Sequence, residues 1–183
     1  MRQTAGSILR LPEPCLVVLI GAAGAGKSTL AGRLFPAESV LSSDAFRKLV
    51  SGDEGDQRAT KTAFAMLHRE LDRRLAHGLT TVVDATSVTP SARRGLLHRA
   101  AAHRVPAFAL VLDLAPELVF ARNTTRPGHV VPEPAVRRQL ADLRASTGDG
   151  VLEAEGFAAV HVVRTAAQLD ALSTRALIER SGG

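Results

Sequence analysis

Gly21-Ala22-Ala23-Gly24-Ala25-Gly26-Lys27-Ser28 fills every fixed position of the phosphate-binding loop pattern G-x-x-x-x-G-K-[ST]. Glycines let backbone N–H groups turn inward around a phosphate, and the helix that follows adds the positive end of its dipole. The loop and the adjoining Thr29 are therefore expected to bind a nucleoside triphosphate, with Lys27 reaching the β- and γ-phosphates and the Ser28 hydroxyl ligating Mg²⁺. The fate of the terminal phosphoryl group depends on what positions the nucleophile. Asp84 is followed by Ala85-Thr86 rather than by a glutamate, which disfavours hydrolysis, and no N-K-x-D stretch is present, which favours ATP over GTP. Transfer to a hydroxyl needs a carboxylate beside it, and Ser42-Ser43-Asp44 supplies one at the end of the second strand, so Asp44 is the candidate general base.

Arg47 follows Asp44 by three residues, about one helical turn, and can hold an anionic group of the acceptor near the same carboxylate. The plainer reading of that pair is a helix start with Asp44 as its cap and Arg47 in solvent. Asp84 admits two roles, binding Mg²⁺ through water or pairing with Arg47 to aim its guanidinium. Thr86 and Arg93 join Asp44, Arg47 and Asp84 as candidate acceptor-binding residues. Arg122 and Arg126 flank a breaker-rich excursion, residues 126–134, that reads as a lid, and both are candidates to clamp the donor phosphates. Arg137 and Arg138 on the next helix are weaker candidates. His68, His77, His98, His103 and His161 show no metal-ligand spacing.

The elements that must hold these residues alternate between strand and helix. Leu16-Val17-Val18-Leu19-Ile20 is an apolar run of strand length before the loop, and Lys27 to Leu34 has helical spacing. Short strands are expected at Ser39–Leu41, Thr80–Asp84, Phe108–Leu114 and Val160–Val163. Helices are expected at Gln57–His77, from Pro90 behind a Thr89 cap to about His103, at Glu117–Thr125, at Pro134–Ser146, and after a Thr165/Gln168 capping box. Repeated βα units with apolar, non-alternating strands imply an α/β fold of the P-loop NTPase kinase type, a parallel sheet flanked by helices on both faces. Ligands of such sheets sit beyond the carboxyl ends of the strands, where the loop, Asp44 and Asp84 all fall.

The 183 residues fit one domain, with Met1 to Pro14 as a polar lead-in. One cysteine, Cys15, excludes a disulfide framework and fits a reducing cytosol, and no apolar stretch approaches the ~20 residues of a membrane span. The expected location is cytoplasmic. Twenty arginines stand against three lysines with a net charge of +5, which favours an anionic substrate. Without Trp or Tyr and with six Phe, there is little material for stacking a long single strand, so a nucleic acid would be met at its end.

The loop, Ser42-Ser43-Asp44-x-x-Arg47, Val82-Val83-Asp84-Ala85-Thr86 and Arg122-x-x-x-Arg126-Pro127 together resemble the 5′-hydroxyl polynucleotide kinase domain of bacterial polynucleotide kinase–phosphatase RNA-repair enzymes, a P-loop kinase family. The likeness runs from about Leu16 to Val163. It takes in Asp53-Glu54-x-Asp56-Gln57-x-x-Thr60-Lys61-x-x-Phe64, Pro90-x-Ala92-Arg93 and Val136-Arg137-Arg138-Gln139. It implies ATP and Mg²⁺ as cofactors, a 5′-OH end of RNA or DNA as substrate, Asp44 as general base, Arg47 on phosphate of the acceptor strand, Asp84 orienting that arginine, and Arg122 on the donor phosphates from the lid. Where the family's lid often carries a further arginine after Arg-Pro-x, this chain has His129. It has neither a D-x-D-G-T phosphatase motif nor a nucleotidyltransferase lysine motif, so 3′-end healing and sealing are expected of other proteins.

Two other readings stay open. A small-molecule phosphotransferase acting on an antibiotic, sugar or nucleoside shares the fold, and the acidic run Asp53, Glu54 and Asp56 suits a cationic acceptor, whereas Arg47, Arg58, Arg93 and Arg94 suit an anionic one. A non-catalytic ATP sensor would have no need of a carboxylate and arginine pair beside the phosphates.

Overall fold

The computed structural model describes residues 10–53, 57–126, 130–172 and 177–180. Five parallel strands form the central sheet: β2 (Leu16–Ile20), β3 (Val40–Ser42), β4 (Thr81–Asp84), β5 (Ala107–Leu112) and β6 (Ala159–Val163), in the spatial order β3-β4-β2-β5-β6. The β2 strand has neighbours on both sides because its ten backbone hydrogen-bonding groups lie among residues with no exposure, and only a central strand satisfies them there. Side chains alternate across it. Val17 and Leu19 join Leu30, Val119, Val136 and Leu169, from α1 (Lys27–Leu34), α5 (Pro116–Thr124), α6 (Glu133–Ser146) and α8 (Ala166–Ala171). Leu16, Val18 and Ile20 face Leu67, Leu71, Leu75 and Leu96, from α3 (Thr60–Ala76) and α4 (Pro90–Ala102). Helices thus cover both faces, as the strand composition requires.

The helix ends follow local chemistry. Thr89 accepts from the Ala92 N–H with Pro90 in the first turn of α4, and Thr165 with Gln168 forms the expected capping box. Three expectations are corrected. The helix expected from Gln57 starts at Thr60, behind a 3₁₀ turn at Gln57–Ala59. The lead-in contains β1 (Arg10–Glu13), which pairs in parallel with β7 (Leu177–Arg180), and Leu11 has no exposed surface, so this stretch is part of the packed body. Two short helices also go beyond the expected elements, α2 (Ser43–Ser51) in full length and α7 (Val151–Glu155) between two left-handed glycines. Among the described residues, no helix is long and apolar enough to cross a membrane.

Candidate active site

At the carboxyl end of β2 the chain turns through the phosphate loop into α1. Gly26, the N-cap of α1, has φ 97° and Gly24 has φ 86°, backbone that L side chains rarely adopt. Gly24 is constrained a second way, since a Cβ there would stand 2.4 Å from the Val119 carbonyl oxygen and 3.0 Å from Asn123. The missing side chain lets α5 lie directly against the loop. That approach delivers Arg122, on the last turn of α5, to the loop's mouth, where a Cβ on Gly26 would lie 3.5 Å from its Nη1.

Lys27 is buried and its Nζ donates to the carbonyls of Gly21 and Ala22 at 2.9 Å each. Burial pushes its pKa down to about 8, against the pull of the Asp84 and Asp44 carboxylates. The Ser28 hydroxyl and Thr29 are exposed on the first turn of α1. Gly21 donates its N–H to the Thr86 carbonyl at 3.1 Å, which stitches the segment after β4 to the start of the loop.

The acceptor-side residues come from the next two strands. Ser42 at the end of β3 is register partner to Asp84 at the end of β4. Ser42 also caps α2, its hydroxyl accepting from the Ala45 N–H at 3.4 Å. The plainer reading of Asp44 as a cap therefore fails: Ser42 has that task, and the Asp44 carboxylate faces a cleft of about 850 Å³ shared with Lys27, Ser28, Asp84, Thr86 and Arg122. Its Oδ1 accepts from Arg47 Nη2, one turn along α2, and its Oδ2 accepts from Arg126 Nη2 at 2.5 Å. Arg126, expected on the donor phosphates, thus lies on the carboxylate expected to be the base. Two salt-bridged oxygens still keep lone pairs, because a carboxylate offers about four acceptor sites.

Arg122 has no acidic or carbonyl partner among the described residues, so a cation stands at the loop's mouth with its hydrogen-bonding capacity open to an anion. Arg93 is the residue the structure takes out of the set. It has no exposed surface, and its three guanidinium nitrogens are bonded to Glu155 at 2.7 and 2.6 Å, the Ser87 carbonyl at 3.0 Å, the Ser146 carbonyl at 3.2 Å and the Ser146 hydroxyl at 3.3 Å. It ties α4 to α6 and α7 and does not line the cleft. Within the excursion expected to be a lid, Pro127, Gly128 and His129 lie outside the described residues, as do Glu54 and Asp56 of the acidic run.

Two residues of the site were not foreseen. Asn123, buried on α5, donates from Nδ2 to the Val131 carbonyl at 2.8 Å and accepts from the Val131 N–H at 3.2 Å, anchoring the far end of the excursion. Gln139 on α6 accepts from the Ala23 N–H of the loop at 2.8 Å. Its sequence signal is a polar residue within the stripe Val136, Leu140 and Leu143 that α6 buries.

The cleft suits ATP with Mg²⁺. It offers a left-handed glycine cradle, a buried lysine, an arginine at the loop's mouth and the hard oxygens of Ser28 and Asp84. Comparison with known proteins agrees at the level of fold. The model of the AAA domain family matches residues 16–148. No curated protein matches the sequence. A candidate kinase from Chloroflexus aurantiacus is similar with a TM-score of 0.61 and 19% identity over 87% of this chain and 95% of that one. A chain of the Pnkp1/Rnl/Hen1 RNA repair complex gives 0.63 at 20% identity, over 79% of this chain and 47% of its own. A gluconokinase from Sinorhizobium meliloti gives 0.54 at 20% identity, over 91% of both.

Proposed function

Because the chain belongs to the AAA domain family and has a kinase-type phosphate-loop fold, we propose that it is an ATP- and Mg²⁺-dependent phosphotransferase whose acceptor is the 5′-OH end of RNA or DNA. The observation that carries the reading is Asp44: a carboxylate in the same cleft as Lys27, flanked by Arg47 and Arg126. The acceptor hydroxyl attacks the γ-phosphorus, its proton passes to an Asp44 oxygen, and the bond from the γ-phosphorus to the β,γ-bridging oxygen breaks to leave ADP. Lys27, the loop amides and Arg122 hold the phosphate charge, and Ser28 with Asp84 offers oxygens to the metal. When bound, Mg²⁺ neutralises part of the charge on the transferring group. Arg47, salt-bridged to Asp44 one turn away, holds a phosphate of the acceptor strand beside the base in this reading. That a similar fold occurs in an RNA repair complex supports this acceptor.

A second reading is favoured by the full-length likeness to a gluconokinase: a small hydroxyl acceptor carrying its own anion, which Arg47 would hold equally well. Incubation with γ-labelled ATP and, in parallel, 5′-OH oligonucleotides and a panel of small alcohols and sugar acids decides between them. Label on the oligonucleotide alone is expected. Label on a sugar acid alone replaces the acceptor, and label on neither acceptor class from pH 6 to 9 removes the transferase reading.

A further inference from the structure

Gln139 is the polar side chain of α6 that reaches the phosphate loop, 116 positions earlier in the chain. The Ala23 backbone N–H can only donate, so the atom it meets at 2.8 Å is the amide oxygen Oε1, and the hydrogen bond fixes which way the amide faces. The two N–H bonds of Nε2 are left over. Nε2 has no acceptor among the described residues, although the side chain is half-buried and lines the same cleft as Lys27, Asp44 and Arg126. The two free donors face the cleft, where an anionic oxygen can accept from them more strongly than water does.

Its place on the loop says which anion. Ala23 belongs to the first half of the loop, next to Gly21 and Ala22, whose carbonyls hold Lys27 Nζ. That lysine serves the β- and γ-phosphates, so the Ala23 side is the side of the terminal phosphate, whereas Gly26 to Ser28 begin α1. One turn before Gln139 on α6 stands Ala135, which also lines the cleft and is too short to compete for the space.

We propose that Gln139 is a terminal-phosphate ligand: its carbonyl oxygen is anchored by Ala23 and its amide nitrogen donates to the γ-phosphoryl group, tying α6 to the triphosphate state of the nucleotide. The proposal rests on the donor half of the reading above and is independent of the acceptor.

The test is calorimetric titration of wild type, Gln139→Ala and Gln139→Glu with ATP and with ADP, in Mg²⁺ and without any acceptor. Gln139→Glu keeps an oxygen for the Ala23 N–H but replaces the donors with a negative charge. The expected result is ATP affinity lower by roughly tenfold in the alanine variant and by more in the glutamate variant, with ADP affinity within about twofold of wild type in both. Equal losses for ATP and ADP would mean that Gln139 only shapes the loop, and retained ATP affinity in the glutamate variant would mean that no phosphate meets it. Either outcome overturns the proposal. If the alanine variant melts early, the glutamate variant alone carries the comparison. A wild type that binds no ATP defeats the phosphotransferase reading itself, so the two failures are distinguishable.

Discussion

Asp44 accepts a hydrogen bond from Arg126 at 2.5 Å, across the cleft and 82 positions along the chain. If Arg126 moves onto donor phosphates in the cleft, Asp44 keeps Arg47 and gains an oxygen open to a hydroxyl. Asp44→Ala is therefore expected to lower kcat by about 100-fold or more while ATP affinity holds or tightens, since a negative charge beside the triphosphate is gone and Arg126 is released. Equilibrium binding together with single-turnover transfer measures both. A variant that keeps more than about a tenth of the rate cannot have lost its base.

If ATP is the donor, Lys27 sets the pH limit of its capture. Below a pKa of about 8 its Nζ is charged; above it the free protein loses this cation, and kcat/KM for ATP is expected to fall by about tenfold per pH unit toward pH 9 and beyond. Because bound phosphate stabilises the charged amine, kcat should stay level to higher pH. Stability moves the other way. The folded state holds fewer protons than the unfolded chain between about 8 and the ordinary value of 10.5, so the nucleotide-free protein gains stability as pH rises through that window. Thermal melts of wild type against Lys27→Met check the sign: the wild-type Tm should rise relative to that of the variant as pH increases through this window, and a constant offset would contradict it.

Most of the sheet was legible because its strands are apolar runs bounded by breakers, and the loop was legible because its glycines are fixed by backbone geometry. Arg47 was placed correctly one turn after Asp44 by helical spacing alone. What spacing could not give is the partner of a long side chain. Arg93 looks in sequence like any basic residue near a helix start, yet Glu155, 62 residues later, draws it inward. The β1–β7 pairing joins segments near opposite ends of the chain and has no local signal. Gln139 did carry one, a polar side chain in a buried stripe, but its meaning depends on Ala23 lying opposite.

Arg93 is expected to act on stability rather than on catalysis. Arg93→Met removes the partner of Glu155, whose side chain is only 19% exposed, and leaves the Ser87 and Ser146 carbonyls without a donor. Breaking a buried pair from one side costs about 3 kcal/mol, which for a chain of this size is a drop in Tm of roughly 6–12 °C. The folded fraction should keep its KM for acceptor. A raised KM with unchanged melting would return Arg93 to the substrate.

Glycine to alanine is expected to have opposite signs at two positions only eight residues apart. At Gly24 the new Cβ meets the Val119 carbonyl at 2.4 Å on a backbone with φ 86°, so the loop or α5 must shift. Strain of this kind costs on the order of 1–3 kcal/mol, and the shift displaces Arg122 and, through Asn123, the anchor of Val131. Gly24→Ala should thus lower Tm and weaken ATP binding by at least about tenfold, a loss of roughly 1.4 kcal/mol. At Gly32, inside α1, a Cβ meets nothing within 4 Å and the backbone is already helical. Gly32→Ala should stabilise the chain by about 0.5–1 kcal/mol by restricting the unfolded state, with nucleotide affinity unchanged. Melting curves and ATP titrations of both variants test the pair. If Gly24→Ala binds ATP as wild type does, α5 is not held against the loop as tightly as the 2.4 Å approach requires.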